Sequence, residues 1–121
     1  MRSLTASTAL KITAAIGALA VALGAFGAHG LEDLLTRTGR VETWKTAALY
    51  HLLHSVVLLV LLHLPKWRPL SWMLFAAGIT VFSGSLYLLC LTDTGWLGAV
   101  TPIGGLLFIA GWGSLAISRK R

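Results

Sequence analysis

The sequence predicts an all-α integral membrane protein, a single domain of four transmembrane helices that covers residues 1–121. Hydrophobic residues make up 56% of the chain and charged residues only 12%, whereas a soluble domain has roughly 25% charged residues. The apolar residues also fall into four runs, each long enough to cross the roughly 30 Å hydrocarbon layer of a bilayer. Lipid, rather than water, is therefore the expected surrounding of this four-helix bundle.

The apolar runs predict helices over residues 8–28, 43–64, 70–91 and 101–118. A secretory signal peptide is the alternative for the first run, with residues 25–27 as a cleavage site. That run exceeds the about 7–15 apolar residues of a signal, and further apolar runs follow it. Pro65 is expected to end the second helix. Thr101 is expected to cap the fourth helix, with Pro102 at its first position.

The connection between the first two runs is the longest. Its glycines, including Gly30, predict a left-handed cap at the end of the first helix. Leu31, Leu34 and Leu35 predict a short helix that lies at the membrane interface. Residues 36–42 are polar and contain a glycine, so they predict a loop.

The net charge of +6 indicates membrane topology rather than nucleic-acid binding, because the basic residues lie between the apolar runs and at the termini. Four crossings put both termini on one side, with these residues: Arg2, Lys11, Lys66, Arg68, Arg119, Lys120 and Arg121. The other side has Arg37, Arg40 and Lys45, offset by Glu32, Asp33 and Glu42. The excess of Lys and Arg predicts a protein of the inner (plasma) membrane with cytoplasmic N- and C-termini.

Small residues recur along the predicted helices and indicate where helices approach closely. The candidate packing positions are Gly17, Gly24, Gly27, Gly84, Gly104 and Gly111. Gly24 and Gly104 are expected to tolerate Ala but not Leu. The single cysteine, Cys90, excludes an intrachain disulfide and a cysteine-based zinc site, and a small buried hydrophobic role is expected for it.

Polar side chains inside the apolar runs are the candidate functional residues, because such groups need partners in hydrocarbon. They are expected to converge in the outer half of the bundle, and they comprise His29, Tyr50, His51, His54, Ser83, Ser85, Tyr87 and Thr101. Three interpretations remain open: a hydrogen-bond network that fixes helix packing, a metal or haem site, and a proton or solute path. No intramembrane carboxylate accompanies the histidines, so no metal and no cofactor is expected.

Four motifs resemble those of the YgdD/YwdK-like small membrane proteins. They are residues 24–31 (GAFGAHGL), 44–54 (WKTAALYHLLH), 82–87 (FSGSLY), and 101–106 with 110–112 (TPIGGL and AGW). That family is a domain of unknown function with eukaryotic relatives. The resemblance implies a multi-pass bacterial inner-membrane protein of four helices and supplies no catalytic residue.

The sequence has no Ser-His-Asp order and no phosphate-binding loop, so an enzyme is not expected. We expect a non-enzymatic membrane protein, either accessory or envelope-supporting, whose partners are membrane lipid and itself or another membrane protein, with no nucleic acid. The alternative is a small transporter or channel-like protein that uses the outer polar cluster.

Overall fold

The computed structural model describes residues 4–117. It contains α1 (Ala6–Ala28), α2 (Glu32–Thr38), α3 (Val41–Leu61), α4 (Pro69–Gly78), α5 (Gly84–Thr92) and α6 (Thr101–Ala116). A π-helical segment, Ile79–Ser83, joins α4 to α5, and a 3-10 helix, Gly95–Ala99, precedes α6. The expectations for Arg2 and for residues 118–121 lie outside the described residues.

Four helical stretches are long and apolar enough to cross a membrane: Ala6–Ala28, Val41–Leu61, Pro69–Thr92 and Gly95–Ala116. Their lengths of 21 to 24 residues correspond to roughly 30 Å of helix. The predicted fold class, an all-α membrane bundle with four spanning helices, is confirmed. The second spanning helix ends at Leu61 rather than at residue 64, because the chain turns before it reaches Pro65.

The connection between α1 and α3 differs from the predicted one. The left-handed residue is Gly39, with φ of 70°, and not Gly30. Residues 36–42 do not form a loop, because α2 continues to Thr38 and α3 begins at Val41. Leu35 on α2 is only 2% exposed and packs in the same apolar cluster as Trp44. This burial holds α2 against α3 and leaves a short, tight turn between them.

The helices pack in the order α1, α3, α4–α5, α6: α1 lies on α3, α3 on α4 and α5, and α6 on α4 and the π-helical segment. Two apolar clusters fill the bundle. One contains Leu58, Phe75 and Phe108, and the other contains Trp44 and Cys90. The buried His51, His54 and Ser55 lie on α3 between the two clusters. A polar layer therefore lies between the two apolar clusters.

Polar contacts hold the two ends of the bundle. At one end, the Arg68 guanidinium donates to the carbonyl oxygens of Ser114 (3.3 Å) and Ile117 (3.4 Å) at the end of α6. At the other end, Arg40 pairs with Asp93 at 3.1 Å. The first contact satisfies carbonyl groups that a helix end leaves without partners, and the second joins the α2–α3 turn to the end of α5.

Candidate functional site

The centre of the polar layer is the imidazole of His51, which is 3% exposed. Its Nε2 lies 2.9 Å from the carbonyl oxygen of Ile16, and its Nδ1 lies 2.8 Å from the Tyr87 hydroxyl. A carbonyl oxygen can only accept, so Nε2 carries the hydrogen. In the neutral ring Nδ1 then accepts from Tyr87. One imidazole thus joins α1, α3 and α5.

Hydroxyl groups extend this layer on both sides of His51. Ser83, which is fully buried, donates to the carbonyl oxygen of Ala47 at 2.7 Å and links the π-helical segment to α3. Ser55 donates to the carbonyl oxygen of His51 at 2.7 Å within α3. Each bond places a side-chain donor on a carbonyl that already serves its own helix, so the polar groups are satisfied without breaking a helix.

A tryptophan fixes the neighbouring part of the α1–α3 contact. The indole N–H of Trp44 donates to the carbonyl oxygen of Leu23 at 2.9 Å. Its ring lies 4.7 Å from that of Tyr87, centroid to centroid. Gly27 provides the space, because a Cβ atom at that position would overlap the indole. Tyr87 is therefore held by Trp44 on one side and by His51 on the other.

His54 belongs to a different set of contacts. Its Nδ1 donates to the carbonyl oxygen of Tyr50 at 2.8 Å, within α3. Its ring stacks on Phe108 of α6, with centroids 3.8 Å apart and planes 10° apart. The rings of Phe75 and Trp112 lie 5.9 Å and 6.4 Å from it. His54 therefore faces an aromatic group between α3 and α6 and not the His51–Tyr87 pair.

A third group joins α5 to the start of α6. The hydroxyl groups of Ser85 and Thr101 lie 2.7 Å apart. Thr101 also donates to the carbonyl oxygen of Leu97 at 3.4 Å. The expected role of Thr101 as a helix cap is wrong, because Thr101 is the first helical residue and its hydroxyl turns back toward the preceding 3-10 helix.

Seven of the eight predicted residues thus form three groups and not one cluster. His29 joins none of them, because it follows the end of α1 and is exposed. Tyr50 is 39% exposed, and its ring contacts Phe82 and Phe108. His51 lies at the midpoint of Val41–Leu61 and meets Tyr87, so the predicted convergence holds for these two residues. His54 lies beyond the midpoint, in the half toward Leu61, so the prediction fails for His54.

The candidate packing glycines differ in how closely another helix approaches them. A Cβ atom at Gly104 would overlap the backbone of Phe82, so the expectation that Gly104 tolerates Ala is wrong. At Gly111 a Cβ atom would lie 3.0 Å from the Phe75 ring. Gly17 and Gly24 have their nearest neighbours at 3.9 Å and 4.0 Å. Gly84 has open space around it and is not a close-packing position.

Sequence reasoning missed two tryptophan donors that bind α1 and the residues just before it. The indole of Trp72 donates to the Thr13 hydroxyl at 3.0 Å, and that of Trp67 donates to the carbonyl oxygen of Leu4 at 3.0 Å. Gly78, whose missing Cβ leaves space for Phe108, was also missed. A sequence signal for these contacts existed, because α1 has small or hydroxyl-bearing residues, such as Thr13 and Gly27, where tryptophan rings of other helices pack.

The histidines do not come together as a metal site would require. Within residues 4–117, no three His, Cys, Asp or Glu side chains are close enough to share a metal ion. His51 uses both ring nitrogens on protein groups, and His54 uses one. These hydrogen bonds join neighbouring helices and give uncharged polar side chains a partner inside the hydrocarbon layer.

Comparison with known proteins places the chain in a family. The family model described as "Protein of unknown function (DUF423)" matches residues 23–105. The chain belongs to the DUF423 family. A UPF0382 membrane protein of Staphylococcus epidermidis is 45% identical over 90% of this chain and 95% of its own. The UPF0382 membrane protein YwdK of Bacillus subtilis is 42% identical over 85% of this chain and 91% of its own.

The resemblance inferred from the four motifs is thereby confirmed, and the DUF423 chain is a multi-pass membrane protein of a family without an established function. A UPF0382 membrane protein of Schizosaccharomyces pombe is 34% identical over 91% of this chain and 99% of its own. No solved structure matches the chain. The stretch that matches the DUF423 model contains His51, His54 and Tyr87 but not Ile16, the α1 partner of His51.

Proposed function

We propose that this DUF423 protein is a non-enzymatic accessory component of the membrane that acts through contacts with other membrane proteins or with lipid. The observation that carries the proposal is the contrast between inner and outer helices. In the most apolar stretch of Ala6–Ala28, and likewise of Gly95–Ala116, only 17% of the residues are buried inside the bundle. In the two central spans the shares are 39% and 44%. The polar side chains hold the helices together, and the outer helices keep most of their surface free for partners.

The free face of α6 is the clearest surface of this kind. Ile103, Leu106 and Ile109 are 55%, 65% and 67% exposed. An apolar helix face in a bilayer contacts lipid chains or another membrane helix, and packing decides between them. The fission-yeast relative favours a role in the membrane itself over support of a bacterial envelope.

Site-specific crosslinking in native membranes tests the proposal. A photoreactive phenylalanine at Ile109, on the free face, should capture one discrete protein or lipid partner. The same residue at Phe108, which is 5% exposed, is the matched control and should crosslink only within the chain. If position 109 captures bulk phospholipid in proportion to its abundance, and nothing else, the contact role is wrong.

A small transporter or channel is the second candidate, and the ionisable His51 and Tyr87 at mid-depth favour it. Against it, both ring nitrogens of His51 bind groups of the protein itself, as a packing network requires. Proton or solute flux into liposomes, above that of empty liposomes and lost in His51→Leu, would favour transport. Equal leakage with and without protein would favour the contact role.

We also propose that both termini face the cytoplasm from the plasma membrane. The contact between Trp67 and Leu4 supports a common end for the basic turn and the N-terminus, where Lys11, Lys66 and Arg68 gather. Lys and Arg favour the cytoplasmic side. A reporter that is active only outside the cytoplasm, fused after Arg121, should be inactive. Strong activity would reverse the orientation.

A further inference from the structure

His54 has one ring nitrogen without a partner in the part of the chain that the structure describes. Nδ1 donates to the Tyr50 carbonyl oxygen at 2.8 Å, so in the neutral ring Nε2 carries a lone pair and can only accept. His54 as a residue is 7% exposed. Within residues 4–117, every fully enclosed side-chain nitrogen or oxygen has a hydrogen-bond partner. Nε2 has none, so it is not fully enclosed by these residues.

The depth of His54 limits what can reach it. His54 lies seven residues before Leu61, the last residue of α3, which corresponds to about 10 Å along the helix axis. This level is within the hydrocarbon layer, where water is scarce and phospholipid headgroups do not extend. An acceptor left without a donor there is unfavourable. The donor that fits is a group that dissolves in hydrocarbon.

The surroundings of Nε2 form a partly open aromatic site between α3 and α6. One face of the imidazole is covered by Phe108 at 3.8 Å. Trp112 stands edge-on at 6.4 Å and is 52% exposed, and Tyr50 stacks at 5.9 Å and is 39% exposed. Neither the Trp112 indole N–H nor the Tyr50 hydroxyl makes a hydrogen bond to residues 4–117. Polar groups of three neighbouring rings thus have no hydrogen-bond partner among the described residues.

We propose that this His54 site binds the hydroxyl group of a lipid alcohol, which donates its hydrogen bond to Nε2 while its apolar body lies along α6. Tyr50 and Trp112 flank the bound group and offer it further hydrogen bonds. Isoprenoid quinols, diacylglycerols and polyprenols share the required chemistry, because each brings a hydroxyl group into hydrocarbon. The proposal goes beyond the contact role and does not depend on it, since the site can be occupied whether or not a protein partner binds.

Nitrogen NMR of the full-length protein in phosphatidylcholine nanodiscs tests the proposal directly. With 15N-labelled histidine, the Nε2 signal of His54 is identified by its loss in His54→Phe, which keeps an aromatic ring against Phe108. Dioleoylglycerol, a polyprenol and a quinol are then added separately. The expected result is a saturable shift of the His54 Nε2 signal with at least one of them, while the His51 signals stay in place. The responding compound identifies the source of the hydroxyl group.

Matched controls separate the hydroxyl group from the apolar body. Triolein and the corresponding quinone lack the donor and should not shift the signal. Trp112→Phe should weaken binding roughly tenfold, the value of one hydrogen bond of about 1.4 kcal/mol. Trp96→Phe, at a tryptophan that is 69% exposed on the 3-10 helix, should leave it unchanged. A shift caused equally by triolein or the quinone, or no shift with any alcohol, would overturn the proposal.

Discussion

The hydroxyl group of Tyr87 donates a 2.8 Å hydrogen bond to Nδ1 of His51, and this bond ties α5 to α3 at the midpoint of the bundle. The same imidazole binds the carbonyl oxygen of Ile16 on α1 at 2.9 Å. Interhelical hydrogen bonds in membranes contribute only about 0.6 kcal/mol on average. Stranding a buried acceptor costs more, about 1–3 kcal/mol, and this difference sets the first prediction.

Tyr87→Phe should lower the stability of the protein in detergent by about 1–3 kcal/mol, because it leaves Nδ1 of His51 buried without a donor. Tyr50→Phe is the matched control, since the Tyr50 hydroxyl has no hydrogen-bond partner among residues 4–117, and it should change stability little. In a His51→Leu background the cost of Tyr87→Phe should shrink. Additive losses in the double variant, measured by thermal unfolding, would show that the two rings do not interact.

Gly104→Ala should destabilise the bundle by roughly 1–3 kcal/mol, because the added methyl group meets the Phe82 backbone, which cannot rotate away. Gly105→Ala, at the next residue, has no atom within 4 Å of its added Cβ and should be neutral or slightly stabilising through helix propensity. Thermal unfolding of both variants in one detergent gives the comparison. Equal melting temperatures would mean that α6 does not contact the π-helical segment at Gly104.

Substitutions at Asp93 can separate the contribution of its backbone conformation to stability from that of its ion pair with Arg40. It is a non-glycine residue with positive φ, 51°, and its pair with Arg40 is 57% exposed on the Asp93 side. Asp93→Asn removes the charge, keeps a residue that tolerates this φ, and should change stability by less than about 0.5 kcal/mol. Asp93→Val should cost about 1–2 kcal/mol more. The reverse order in urea or thermal titrations would assign the stability to the ion pair.

The π-helical segment supplies a register prediction. A π segment carries one residue more than the α-helix it interrupts, so deleting Thr80, which is exposed, should convert it to α-helix. The residues after it should keep their facing, because the widened turn had absorbed the extra residue, so Tyr87 should still meet His51 and Ser85 should still meet Thr101. We expect a monodisperse protein in size-exclusion chromatography, and aggregation of the deletion variant would contradict this register argument. Thr80→Ala removes only a hydroxyl that binds its own helix at Ala76 and should elute like the wild type.

The sequence was sufficient for the four spanning helices, because uninterrupted apolar length is a direct requirement of the bilayer. The sequence was not sufficient to show which side of each helix faces the interior of the bundle. A helix that is apolar all round has no polar side to mark its outward direction, so periodicity could not show that Gly84 is open and Gly104 is closed. Only the large partner, the Phe82 backbone in the case of Gly104, decides this.

The polar residues show a similar limit. His51 and His54 are three positions apart, and spacing on one helix allows them to share a face. Their partners come from different helices, Tyr87 of α5 for His51 and Phe108 of α6 for His54. The π-helical segment contributes to this separation because it resets the direction of α5 relative to α4. No local pattern in residues 79–83 predicted such a segment.

The hydrogen bonds between α1 and the other spanning helices have a consequence for biogenesis, because among residues 4–117 the acceptor always lies on α1. Trp44 and His51 donate to its carbonyl oxygens, and Trp72 donates to the Thr13 hydroxyl. A single helix makes all its backbone hydrogen bonds internally, so α1 can leave the translocon first and remain stably inserted in the bilayer. The later helices bring the donors that lack partners on their own helices. The later helices therefore gain hydrogen bonds when they pack against α1. A ribosome-stalled chain that ends before α3 should remain in the bilayer without a chaperone.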